Sequence, residues 1–145
     1  MTATRFALSL VFVLTAFPVA AADPDSLTIC SGPNRAERKV TCLVDGDTGW
    51  ERGVKWRLEG VDTPEYAAHA ECPEEPEKAA QSTMRMLELM QGGYKIEWLG
   101  EKGGAGRDLV RIWLSDGRDA GQVLIEEGFA VQWPHRPRVF CEVHP

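Results

Sequence analysis

Apolar and polar positions alternate in several short runs along this chain. From Val54 to Val61, Val54, Trp56 and Leu58 fall on one face and Lys55, Arg57 and Glu59 on the other, which predicts a half-buried strand. Lys39–Val44 predicts a strand before it, Gly49-Trp50-Glu51 a short return strand, and Arg52-Gly53 the hairpin turn into Val54. Tyr94–Leu99 and Leu109–Leu114 read as two more strands, with Val110, Ile112 and Leu114 on a shared face and Gly100–Gly106 as the loop between them. The period becomes helical over Pro73–Met90, where Ala80, Met84, Leu87 and Met90 form an apolar stripe and Gly92-Gly93 ends the helix. Asp119–Glu127 predicts a second helix capped by Asp119, followed by an extended stretch at Phe129–Trp133. Thr63-Pro64-Glu65 predicts a short helix start with Thr63 as its cap. Trp56, Trp98, Trp113 and Trp133 are expected to pack in the core or at a sheet edge, and Trp50 to be exposed. The pattern alone gives an α+β class with a barrel.

The first residues change the picture. Met1–Ala22 has Arg5, an apolar run over Phe6–Phe17 and Ala20-Ala21-Ala22, the layout of an export signal, and the run is too short to span a bilayer comfortably. Its removal leaves 23–145, a length suited to one domain with one core over about 39–133, secreted or periplasmic and with no membrane contact. Cys30, Cys42, Cys72 and Cys141 then lie in an oxidising compartment, and an even count implies disulfides. Of the three pairings, Cys30–Cys42 with Cys72–Cys141 is favoured: it pins the N-terminal arm to the first strand and the C-terminal tail to the 72 region. A zinc site from His69-x-x-Cys72 and Cys141-x-x-His144 is the alternative. The net charge of −6 excludes long-range steering toward a polyanion, so any nucleic-acid binding needs a local patch, with Arg57, Arg107, Arg136 and Arg138 as candidates, or a cation.

The candidate chemistry sits in Val44–Glu65. Asp47 and Asp62 each close a predicted strand. If those strands are neighbours, the two carboxylates converge on one cation, with Arg57 pointing away from the core beside them. Such a site suits calcium, which takes six to eight hard oxygens, in the weak class of about 10⁻⁴–10⁻³ M. Taken singly, Asp45-Gly46-Asp47 and Asp62-Thr63-Pro64-Glu65 are also ordinary turn and helix-start sequences.

Val44-Asp45-Gly46-Asp47-Thr48, then Arg57–Glu65 with its Gly-Val-Asp-Thr-Pro-Glu ending, then Gly106-Arg107 resembles the staphylococcal-nuclease (thermonuclease) family over roughly 39–131. The resemblance implies an OB-fold, a five-stranded Greek-key β-barrel with two to three helices. It implies Asp47, Asp62 and the Thr63 backbone carbonyl as Ca²⁺ ligands, Asp45 as the holder of a bound water, Glu65 as general base, and Arg57 and Arg107 as the phosphate clamp. The implied activity is endonucleolytic hydrolysis of DNA and RNA to 3′-phosphates, by a monomer acting best on single strands. The family's Asp and Tyr before the second Arg are missing; Gly103-Gly104-Ala105-Gly106 stands there and is costlier to order. The family's late tyrosines are also missing, with Trp133, His135 or Arg136 as replacements. The alternatives are a nucleic-acid-binding module without turnover and a disulfide-stapled interaction domain.

Overall fold

A computed structural model describes residues 26–141. The expected export signal at 1–22 and the His144 arm of the zinc alternative lie outside them.

The strands are β1 (Thr28–Ile29), β2 (Cys42–Leu43), β3 (Thr48–Glu51), β4 (Val54–Leu58), β5 (Val61–Asp62), β6 (Tyr94–Lys102), β7 (Asp108–Leu114) and β8 (Val131–Gln132). Among the described residues two helices, α1 (Glu75–Gln91) and α2 (Ala120–Glu126), complete the regular structure with a 3₁₀ turn at Gly104–Gly106. The chain is therefore α+β, with a mixed six-stranded sheet in the order β1-β2-β3-β4-β7-β6 and a separate antiparallel pair, β5-β8. β1 runs parallel to β2 and β4 parallel to β7; the other pairings are antiparallel.

The β3–β4 hairpin turns at Arg52-Gly53 with both φ angles positive, +48° and +86°. That is the twist a two-residue hairpin needs and the reason a glycine stands second. The parallel β4–β7 pairing sets Trp56 opposite Asp108 and Arg57 opposite Leu109. Residues about fifty apart in sequence thereby become neighbours, and the Gly103–Arg107 turn leads into β7 alongside β4.

Trp56, Leu58, Val110 and Ile112 of the sheet pack with Met86, Leu87 and Met90 of α1 and Val123 and Leu124 of α2. This buried cluster draws nothing from residues after Ala130 among those described. The tail is tied on by other means. Cys72 and Cys141 are joined, as are Cys30 and Cys42, so the favoured pairing is the one present. The Lys78 ammonium donates to the Phe140 carbonyl at 2.7 Å. No helix of the described residues is long and apolar enough to cross a membrane.

Several expectations need correcting. The strand at Lys39–Val44 contracts to Cys42–Leu43, because Lys39 takes a left-handed φ of 49° and Val44 turns back to donate to Thr48 at 2.8 Å. Thr63-Pro64-Glu65 forms no helix. The main helix begins at Glu75, and its buried face holds Ala79, Ser82, Thr83 and Met86 ahead of Leu87 and Met90. Ala80 and Met84 are exposed; polar Glu75, Ser82 and Thr83 on the inner face hid the true stripe. β6 continues through the expected loop to Lys102 by way of a bulge. Of the tryptophans expected to pack, Trp56 is buried, while Trp98, Trp113 and Trp133 are exposed. Trp50 is half-buried with the Lys55 ammonium 5.9 Å from its ring centroid.

Candidate metal and phosphate site

The two strand-end carboxylates are brought together. Asp47 follows the turn made by Asp45-Gly46, and Asp62 closes β5. Gly46 permits this approach: a Cβ there would lie 2.2 Å from Ser82 Oγ and 2.9 Å from Thr63 Cγ2, so the turn rests directly on α1. Arg57, on the polar face of β4, bridges the pair. Its Nη1 donates to Asp47 Oδ1 at 3.1 Å and its Nη2 donates to Asp62 Oδ1. Asp47 also accepts from the Thr48 hydroxyl at 2.7 Å and from the Thr63 N–H at 3.0 Å. Asp47 and Thr63 are each 1 % exposed, so this knot is nearly dry.

Asp45 accepts from the Asp47 N–H at 3.2 Å. Burial pushes the Asp45 carboxyl up to about 7, and the nearby charges of Asp47 and Glu65 push the same way. Burial also raises Glu65, helped by Asp47 and Asp62 and opposed by Arg57 and His69. Burial acts to lower the Arg57 guanidinium, but Asp47 and Asp62 outweigh it and raise it overall. Three carboxylates beside Asp62 thus repel one another around one guanidinium. A cation would relieve that repulsion, but the oxygens of Asp47 and Asp62 already accept from Arg57, Thr48, the Thr63 N–H and the His135 ring, so a bound ion would have to displace some of these partners.

Arg107 reaches the same region from the far side. Its Nε donates to the Gly104 carbonyl at 2.8 Å and its Nη1 to Thr48 Oγ1 at 3.3 Å. The glycine-rich loop is a closed turn in which Gly103 N–H donates to the Arg107 carbonyl at 2.8 Å and Gly106 N–H to the Gly103 carbonyl at 3.2 Å. Gly106 sits at φ +69°, a conformation that suits glycine. Arg57, Asp62, Glu65 and Arg107 all line one cleft of about 610 Å³.

His135 is the tail's addition to the acidic cluster. Its Nε2 lies 2.7 Å from Asp62 Oδ2 and its Nδ1 2.7 Å from the Arg136 carbonyl. Both partners only accept, so making both bonds requires an imidazolium. Burial lowers this ring, yet the Arg136 carbonyl and Asp62 raise it overall. Trp133 and Phe140 flank it edge-on at 5.2 and 5.8 Å. Of the proposed tyrosine replacements, His135 meets the acidic cluster and Trp133 lines the cleft, whereas Arg136 does not line it; Arg136 and Arg138, both candidates for a basic patch, are exposed. Sequence reading missed Thr48, which links Arg107 to Asp47, and Glu75, which has no signal beyond its place in an acidic first helical turn.

A Glu75 carboxylate oxygen lies within 4.8 Å of the sulfurs of Cys72 and Cys141. Those sulfurs are bonded to each other, and zinc requires thiolates, so the zinc alternative loses its two Cys ligands. No protein-family model matches this chain, and no curated protein sequence matches it.

Proposed function

We propose that this protein is an exported, calcium-dependent nuclease hydrolysing phosphodiester bonds of DNA and RNA, built on an OB-type barrel of the staphylococcal-nuclease kind. The observation that carries the reading is that Asp62, Glu65, Arg57 and Arg107 line one cleft, with the buried Asp47 tied to it through Arg57. The strand order β2-β3-β4-β7-β6, with its parallel β4–β7 step, is compatible with a five-stranded Greek-key barrel to which β1 is added. The two disulfides suit a secreted or periplasmic protein.

The residues divide the work as follows. Arg57 engages Asp47 and Asp62 with one N–H from each terminal nitrogen, which leaves three of its five donors for a phosphate. Arg107 supplies a second planar fork. Both would bind most strongly the charge that gathers on the equatorial oxygens of the transition state, where loss of one such donor costs about 2.7–4 kcal/mol. Glu65, raised by burial and its acidic neighbours, is a stronger base than an ordinary carboxylate and can take a proton from water. Calcium held by Asp47, Asp62 and the Thr63 carbonyl would add positive charge at the phosphate oxygens. Single strands suit a cleft with Trp133 at its wall, since an unpaired base can leave its stack.

The test is digestion of single-stranded DNA with calcium and with a chelator. The expected outcome is endonucleolytic cleavage to 3′-phosphate ends with calcium and none with chelator. Full cleavage under chelation would remove the metal assignment. Binding without cleavage would select the binding module, and no binding at all the interaction domain.

A further inference from the structure

One buried carboxylate of the cleft lining belongs neither to the acidic knot nor to the arginine pair. Glu75, at the first position of α1, is 2 % exposed. Its Oε1 accepts the Glu65 N–H at 3.0 Å and its Oε2 accepts the Glu71 N–H at 2.6 Å. The two bonds grip both ends of 65–71, a stretch with neither helix nor strand. Within it, the Ala70 and His69 N–H groups both turn back to the Tyr66 carbonyl, at 3.0 and 2.8 Å. Acidic residues in a first helical turn ordinarily face water and act through the macrodipole. This one is turned inward onto a loop, beneath the Cys72–Cys141 bridge.

We infer that Glu75 is a positioning residue for the nuclease reaction, holding the backbone of Glu65 so that its carboxylate faces the cleft beside Asp62. The inference rests on the nuclease reading above. The chemistry favours a carboxylate for this task. It has two oxygens and no donor, so it can satisfy two separate N–H groups at once with charge-assisted bonds. A glutamine of the same shape would turn an NH₂ toward one of those N–H groups and lose a bond. An aspartate is one methylene too short to span both. A base displaced by about 1 Å loses rate far out of proportion to the stability involved.

The experiment compares wild type, E75Q, E65Q and the double variant, with kcat and KM on single-stranded DNA and amide exchange at Glu65 and Glu71. E75Q is expected to lower kcat about 10- to 100-fold while KM moves less than about 3-fold, as for other residues that orient a catalytic group. In the E65Q background the same change should have almost no further effect on kcat, and E75D should not rescue. An equal loss of kcat in both backgrounds, or no loss in either, overturns the inference. Amide exchange keeps the two readings separable. If wild type cleaves nothing, the nuclease reading fails; unprotected amides at Glu65 and Glu71 in wild type would independently overturn the grip of Glu75.

Discussion

At the scale of single residues the acidic knot sets the repulsion among its carboxylates against the one guanidinium that bridges them. Asp45 is the member with least to hold it: burial and two like charges act against its ionised form, and the Asp47 N–H is its compensation. Asp45→Asn keeps an oxygen for that N–H and removes one charge. In chelator at pH 8 this variant should gain about 1–3 kcal/mol over wild type in urea denaturation, the scale of an uncompensated buried polar group. Added calcium should stabilise the variant less than the wild type. Equal melting of the two proteins in chelator would show that the crowding is illusory. The meeting of Asp47, Asp62 and Arg57 was legible beforehand, because the two acids flank predicted strands and Arg57 falls on the polar face of the strand between them. Thr48 and Glu75 were not, since a hydroxyl and a helical acid carry no mark of where their oxygens point.

At the scale of elements, α1 shows where pattern reading goes astray. Its inner face carries Ser82 and Thr83, and the Thr83 hydroxyl is satisfied locally by donating to the Ala79 carbonyl at 2.7 Å. Periodicity, weighing those positions as polar, shifted the stripe to Ala80 and Met84. Met86→Ala should therefore cost about 2–5 kcal/mol in thermal or urea melts, whereas Met84→Ala should stay within about 0.5 kcal/mol. The contact between the two helices is polar at its rim: Arg85 Nε and Nη2 donate to the two Glu127 oxygens at 2.6 and 2.8 Å. The hydrogen bond from Arg85 holds Glu127 below its ordinary value of 4.5. Its contribution is thus present above that value and lost as pH falls through the lower folded one. A melting-temperature gap between wild type and E127Q should be seen at pH 7, narrow as the pH falls below 4.5 through the lower folded value, and shrink in high salt. The hairpin and the α2 cap were legible for the opposite reason. Arg52-Gly53 and Asp119 act through local backbone chemistry, and Asp119 does accept from the Gln122 N–H at 3.0 Å. The short β1, with its parallel pairing to β2, had no such local cue.

At the scale of the whole molecule, two covalent links close loops of very different size. The sequence separations are 12 for Cys30–Cys42 and 69 for Cys72–Cys141. On chain entropy alone, replacing both cysteines of the shorter link by alanine should cost about 3 kcal/mol, and of the longer about 4 kcal/mol. Denaturation of the two double variants checks this ordering. The longer link also does something the shorter does not. Because the apolar cluster stops at Ala130, the segment from Trp133 to Cys141 hangs on one covalent bond and a few polar contacts. It can come away as a unit of its own, a sub-global opening far cheaper than the collapse of the six-stranded sheet. A thiol reductant would then act on this protein as a selective solvent for one wall of the cleft, leaving the near-ultraviolet signal of Trp56 in place while the contact between His135 and Asp62 disappears.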